Sequence, residues 1–235
     1  VDVEFKAADL AVDLGQAQQP VIRHLNFVLH PGEGLSIVGP SGTGKSLLIK
    51  TLMGARRPAQ GQVTINGVNL HDLPADRCGQ LIGYVSNKPA LFEGTLGQNL
   101  ARFGHATLEG LDHAVELAGL SAFLGKLSEG YDTPVADVVQ QLSPIHLRFV
   151  ALARALYGSP VLLFLDQIDD GLDHDELTLL LQTVQRCKAA GQIVVLVTNR
   201  GQIVQQLDRV LILTKRGVER FCHVNELARK AQAIS

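Results

Sequence analysis

No dense basic block interrupts the 235-residue chain, in which 21 Lys and Arg stand against 23 Asp and Glu. Without a clustered positive face a protein has little to offer a nucleic-acid backbone or an anionic bilayer surface, so nucleic acid is not an expected partner. Long apolar runs are missing too. A membrane helix needs about 20 apolar residues, whereas the longest uninterrupted runs, residues 161–165 and 193–197 among them, are five residues long. Nothing in the chain reads as a membrane span. Cysteine is scarce, and Cys78, Cys187 and Cys222 are odd in number, far apart and in no C-x-x-C pair. That excludes a disulfide framework and a thiolate metal site as expectations, and it suits a reducing compartment. The chain opens on Val1 instead of Met, and its first residues carry neither the charged nor the apolar region of a secretory signal. A piece cut from a longer polypeptide is expected. Internal repeats, linkers and low-complexity tracts are likewise missing, and 46% apolar residues are ample for a core.

Against these absences one octapeptide stands out. Residues 39–46 read Gly39-Pro40-Ser41-Gly42-Thr43-Gly44-Lys45-Ser46, a complete G-x-x-x-x-G-K-[ST] pattern, placed where an apolar strand-like run (35–38) gives way to a helix-like one (47–53). Each fixed residue has a physical reason. The glycines let backbone N–H groups converge on phosphate oxygens, and the following helix presents its positive end to them. Lys45 is expected to reach the β- and γ-phosphates and the Ser46 hydroxyl to ligate Mg²⁺. A match lodged between strand and helix seldom arises without function, so nucleotide binding is the first expectation.

The opening third alternates short apolar stretches (3–5, 10–12, 21–29, 63–65) with Gly- and Pro-containing turns, which predicts an antiparallel sheet beside the first core strand. Residues 95–157 change to helical periodicity, with Leu108, Leu111 and Val115 on one face and Leu147, Val150 and Arg154 along another segment. Two buried-strand runs follow, 161–165 and 193–197, separated by a helix-like segment from 173 to 190 that ends at Gly191. That spacing is expected of parallel βαβ units. The expected fold is therefore α/β, a mainly parallel core sheet of P-loop NTPase type with an antiparallel β part and an inserted helical part. One domain is expected over 1–235, with residues 1–87 and 158–235 as core and 88–157 as the helical insert.

Residues 161–166 end an apolar strand in Asp166, the Walker B pattern that delivers a carboxylate to the Mg²⁺ side of the phosphates. Alone it is a weak signal, because strands also end in Asp for capping reasons. Just upstream, Leu142-Ser143-Pro144-Ile145-His146-Leu147-Arg148-Phe149-Val150-Ala151-Leu152-Ala153-Arg154-Ala155-Leu156 resembles the ABC-transporter signature LSGGQ-x-Q-R-x-A-L-A-R-A-L. Other landmarks fall in the same order. Leu91-Phe92-Glu93-Gly94-Thr95 with Asn99 resembles the exporter segment LF-x-G-T-x-x-x-N, Gly130-Tyr131-Asp132-Thr133 resembles the run ahead of the signature, and Asp170-Gly171-Leu172-Asp173 resembles the D-loop. The resemblance covers essentially the whole chain. It implies the nucleotide-binding domain of an ABC exporter, with ATP and Mg²⁺ as cofactors. It further implies transmembrane domains, N-terminal in the same polypeptide, a second nucleotide-binding domain as partner, and a place on the cytoplasmic face of a membrane.

The catalytic positions are the ones that depart from the family. Gln167 stands where the family has the Glu that polarises the attacking water, and an amide cannot accept its proton. Asn199 replaces the switch histidine that contacts the γ-phosphate. Asn87 falls where the Q-loop glutamine reaches Mg²⁺, one methylene shorter, and Val12 aligns with the aromatic that stacks on adenine. Leu47 replaces a Thr that contacts the α-phosphate, and Asp137 and Val139 replace a Glu and a Gly. In the signature, Ser143 is kept while Pro144, Ile145 and His146 replace Gly-Gly-Gln. Proline removes a backbone N–H and isoleucine adds bulk where the partner's γ-phosphate needs close backbone approach. Ser143-Pro144 also reads as a helix N-cap followed by Pro in the first turn. A single engineered change would account for Gln167 alone, but not for these concurrent losses. The expectation is a domain that binds Mg-ATP and hydrolyses it weakly or not at all. The alternative is a nucleotide-independent scaffold docking on a membrane partner.

Overall fold

Continuous apolar runs and alternating ones serve different strands in this chain. The computed structural model describes residues 3–13 and 21–227. Strands β1 (Phe5–Val12), β2 (Ile22–Leu29) and β3 (Gly34–Val38) come first, then helix α1 (Lys45–Leu52), β4 (Gln60–Ile65) and the short β5 (Val68–Asn69). Next are α2 (Ala75–Leu81), β6 (Ile82–Val85), α3 (Leu96–Leu100), α4 (Leu108–Leu117), α5 (Ser121–Leu124), α6 (Val135–Gln141) and α7 (Pro144–Leu156). They are followed by β7 (Leu162–Asp166), α8 (His174–Ala189), β8 (Ile193–Val197), α9 (Gly201–Val204), β9 (Arg209–Thr214) and β10 (Gly217–His223). The chain divides into two units, residues 1–79 with 187–235, and residues 80–186.

In the first unit, β2, β1, β4 and β5 form an antiparallel sheet in that order. Phe5 lies opposite Leu29 on one side and Ile65 on the other. Along β2, Ile22, Leu25, Phe27 and Leu29 are buried while Arg23, His24 and Asn26 face water, the one-sided burial of an antiparallel sheet. A break in the alternation falls at His24, which takes a left-handed φ of 51°. The second sheet of this unit runs β10-β9-β3-β8. Its middle strand β3 is parallel to both neighbours, with Leu35 opposite Val195 and Arg209. All five residues of β8 are buried. A strand covered on both faces has no polar side to alternate with, so its sequence reads as one apolar run. Strands β9 and β10 close the edge as an antiparallel hairpin that the sequence reading did not anticipate.

In the second unit, β6 and β7 pair in parallel, Val85 opposite Leu165. The first residues of β7, Leu162 to Leu165, are wholly buried, each side chain contributing about 1.5–3 kcal/mol of burial free energy. Helix α7 lies directly on β6. A Cβ at Gly83 would fall 2.4 Å from the Ala155 carbonyl oxygen, so only glycine permits this approach. Helix α3 is started by a capping box in which the Thr95 hydroxyl accepts from Gln98 N and the Gln98 side chain accepts from Thr95 N. The Thr183 hydroxyl donates to Leu117 O at 2.7 Å and ties α8 to the end of α4. Parallel strands, an antiparallel β part and a run of helices are the α/β composition expected from the sequence. Among the described residues no helix is long and apolar enough to cross a membrane.

Candidate functional site

The loop 39–44 leaves β3 and enters α1 at Lys45. Its first turn is packed against β9: a Cβ on Gly39 would fall 2.4 Å from the Leu213 carbonyl oxygen. The Thr43 hydroxyl, buried, donates to Pro40 O at 2.9 Å. Lys45 curls back over the same turn. Its Nζ donates to Gly39 O at 2.6 Å and Pro40 O at 2.7 Å, with 6% of the residue exposed. Gly44 is the N-cap of α1 and supplies no capping side chain, and the first turn of α1 holds no acidic residue. An eight-residue helix thus begins with its positive end open to an acceptor of another kind, beside a buried ammonium and the Ser46 hydroxyl. These residues fit a polyphosphate with its Mg²⁺. Ser41 and Gly42 are exposed in the loop, and Leu47 is half-buried in the first turn.

One further side chain reaches this loop. Beyond β3 and β8 the ladder continues through Thr198 N, which donates to Ile37 O at 3.1 Å. One step on, Gly39 N donates to the side-chain oxygen of Asn199 at 3.2 Å. The residue aligned with the switch histidine therefore touches the loop's first glycine.

In the second unit, the carboxyl ends of β6 and β7 present Asn87, Asp166 and Gln167. Asp166 is 6% exposed. Burial, and after it the Asp166 carboxylate, pushes the Tyr84 hydroxyl above the usual phenol range. Gln167 adopts a left-handed φ of 54°, which costs a non-glycine residue about 1 kcal/mol and marks this residue as held by its surroundings. A residue that sequence reasoning passed over connects these positions. Arg148, on α7, donates to Asn87 O at 3.0 Å, to Ile168 O at 3.2 Å and to Asp170 O. It thereby joins the Q-loop position, the residue after Gln167 and the D-loop. The signal was present in the signature pattern, where Arg148 occupies a Gln position and Phe149 the Arg position that follows.

The signature segment takes the helix-start geometry that its sequence suggests. Ser143 is the N-cap of α7 and Pro144 opens the helix. The Ser143 hydroxyl accepts from His146 N at 3.2 Å and lies 2.6 Å from His146 Nδ1. Ser143 and His146 are exposed and Ile145 is half-buried. The serine oxygen is thus engaged by its own helix.

Val12 ends β1 and is 1% exposed, packed into the core of its unit. Residues 14–20, which follow, lie outside the described residues.

The second unit also carries a cleft of about 310 Å³ lined by Tyr84, Phe92, Asn99, Arg102, Phe103 and Arg154. Phe92 is 62% exposed and Phe103 52%, and their rings meet edge to face at 6.3 Å. Asn99 shapes the wall, its side-chain amide bonding Phe92 N at 2.8 Å and Phe92 O at 2.9 Å. Arg102 donates to Ala155 O at 2.9 Å and Arg154 O at 3.1 Å, while Arg154 lies over the Phe92 ring. Burial first, and then the neighbouring Arg154 charge, lowers the Arg102 guanidinium below its ordinary value.

The family model described as ABC transporter matches residues 22–168. The type I secretion system ATP-binding protein PrsD of Rhizobium meliloti is 33% identical over 206 residues, 87% of this chain and 35% of that protein. The ATP-dependent permease MDL1 of Candida albicans is 31% identical across 92% of this chain and 32% of its own length. The fatty acid ABC transporter ATP-binding/permease protein of Mycobacterium tuberculosis is 31% identical across 97% of this chain and 36% of its own length. The chain thus spans about a third of the length of these relatives. Among solved structures, a bacterial Atm1-family ABC exporter with ATP bound superposes with a TM-score of 0.85 at 25% identity, covering 97% of this chain and 40% of that one. The chain belongs to the ABC transporter family, as a nucleotide-binding domain of the exporter type.

Proposed function

We propose that this domain captures Mg-ATP through residues 39–46 and couples its binding to an attached membrane transporter while hydrolysing it weakly or not at all. The observation that carries this reading is the contrast between an intact, well-packed phosphate loop and an amide at each of the two positions where proton chemistry would be done, Gln167 and Asn199. The loop N–H groups and Lys45 bind the phosphates, and Ser46 supplies a hydroxyl to Mg²⁺. Asp166 and Asn87 are the further metal ligands that the family pattern implies. Bound Mg²⁺ offsets charge on the phosphates. Gln167 can orient a water but cannot take its proton, and general-base help of this kind is worth about 10²–10⁴-fold.

The partners in this reading are transmembrane domains, N-terminal in the same polypeptide, at the cytoplasmic face of a membrane. The relatives named above, about three times as long as this chain, support a fused arrangement. The exposed Phe92–Phe103 cleft is the surface we assign to that membrane partner. A second nucleotide-binding domain completes the assembly, its nucleotide facing the Ser143 end of α7. The family match does not favour a scaffold that never meets nucleotide.

Steady-state phosphate release, run beside a Lys45→Ala control, tests the proposal. Turnover well below the ordinary enzymic range of about 1–10³ s⁻¹, together with Lys45-dependent ATP binding by calorimetry, is the expected result. Lys45-dependent turnover of order 1 s⁻¹ would overturn the hydrolysis half. An absence of ATP binding at millimolar concentration would overturn the capture half.

A further inference from the structure

We propose that Asn199 is a positioning residue for the phosphate loop, its side-chain oxygen fixing the N–H of Gly39 and so retaining the acceptor half of the imidazole it replaces. This rests on the nucleotide-binding reading above. The contact itself does not.

The geometry begins with the sheet. Strands β3 and β8 run parallel with Ile37 opposite Val197. Their last main-chain bond is Thr198 N to Ile37 O at 3.1 Å. The chain then leaves the ladder to form the loop, and the N–H of Gly39 needs an acceptor where no strand carbonyl follows. The Asn199 side chain supplies it at 3.2 Å. Because the donor is a main-chain N–H, the acceptor must be Oδ1 and not Nδ2, which settles the orientation of the amide.

The same glycine is held in two other ways. Its carbonyl accepts from Lys45 Nζ at 2.6 Å, and its Cα packs where a Cβ would meet Leu213 O at 2.4 Å. N–H, carbonyl and α-carbon of one residue are therefore each fixed by a different element, and Asn199 is the only one of the three that is a solvent-exposed side chain. A loop fixed before its ligand arrives loses less conformational freedom on binding, so the contact favours capture of phosphate.

The chemistry of the replacement follows from covalent structure. Asn Oδ1 and His Nδ1 both lie two bonds beyond Cβ, so a neutral imidazole at this position presents Nδ1 to Gly39 and carries Nε2–H outward. Asparagine keeps the first of these groups and lacks the second. One substitution thereby separates holding the loop from reaching beyond it.

Three variants of the 235-residue chain, Asn199→Ala, Asn199→Asp and Asn199→His, test this in two independent arms. The first reads amide-proton protection at Gly39 by NMR without nucleotide. The second reads ATP affinity by calorimetry in the presence of Mg²⁺. Asn199→Ala should lower Gly39 protection and weaken ATP binding about three- to tenfold, the scale of one net hydrogen bond, with an unchanged unfolding midpoint. Asn199→Asp should keep the protection. Asn199→His should keep it at pH 8 and lose it at pH 5.5, because an imidazolium, formed below about pH 6.5, offers no acceptor. The wild-type protection factor should not change over that window.

Undiminished Gly39 protection in Asn199→Ala, or protection in Asn199→His that ignores pH, would overturn the contact. Lost protection with unaltered ATP affinity would overturn its role in capture. Failure of the wild type to bind ATP would instead overturn the nucleotide-binding reading, and the exchange arm would still decide the contact.

Discussion

The guanidinium of Arg148 donates to the main-chain carbonyl of Asn87 at 3.0 Å, across 61 positions of sequence. The same group reaches the carbonyls of Ile168 and Asp170, so one side chain on α7 fixes the ends of two other segments in its unit. Hydrogen bonds from a charged donor are worth about 1.5–3 kcal/mol each in favourable settings, and less where solvent reaches them. Arg148→Ala should therefore lower stability by about 2–4 kcal/mol, read as a shift in the urea midpoint at unchanged slope. Arg148→Lys should recover little, because a single ammonium cannot match a planar fork reaching three carbonyls. Full recovery with lysine would show that charge alone matters at this position.

Gly83 sets the distance between β6 and α7. A methyl group there would stand 2.4 Å from Ala155 O, a main-chain atom that cannot turn aside. Gly83→Ala should cost about 3 kcal/mol or more by forcing the helix off the strand. Loss of soluble folded protein, or a comparable drop in the unfolding midpoint, is expected. A neutral result would mean that the helix can slide.

Cys187 is 1% exposed, and burial pushes its thiol up to about 12. An unfolded thiol ionises near pH 8.5, so the stabilisation from keeping this group protonated is fully present below that pH. It is lost as pH rises from there toward about 12. Stability should fall over that window, and the slope should flatten in Cys187→Ala. At pH 8 a maleimide should label half-buried Cys78 before Cys187, which should react only as fast as the chain opens. Mass spectrometry of the labelled peptides checks the order.

Restoring the family residues should be strongly non-additive. Gln167→Glu with Asn199→His repairs only the base and the switch, while Pro144→Gly, Ile145→Gly and His146→Gln repair only the signature. If two such chains pair as proposed above, each site draws on both sets, so either set alone should leave phosphate release near background. All five together should raise it more than about 10²-fold, the low end for general-base help. Substantial turnover from the first pair alone would show that the Ser143-Pro144 helix start is competent as it stands.

Much of this architecture was legible in residue patterns because the governing interactions are local or binary. The runs 161–165 and 193–197 are apolar without alternation because β7 and β8 are buried on both faces, and Ser143-Pro144 marks the start of α7 by capping chemistry that operates within three residues. Strand β6 was not legible. It is four residues long and contains Gly83, which reads as a breaker until the approach of Ala155 shows why glycine is required. The hairpin β9–β10 was passed over as well, although only Lys215 and Arg216 separate its two strands. Within the candidate site, the octapeptide 39–46 was legible in full, whereas the bonds that hold it were not. Asn199 meets Gly39 across 160 positions, and no periodicity encodes a contact of that range.

The seating of Gly39 against Leu213 ties the front of the chain to its last sixth. Any message truncated between residues 201 and 208 would still encode the whole octapeptide, and would still match the motif, yet it would lack the strand that gives the loop its floor. Genetic lesions that remove β9 should therefore abolish nucleotide capture as thoroughly as a change at Lys45, without altering one residue of the motif.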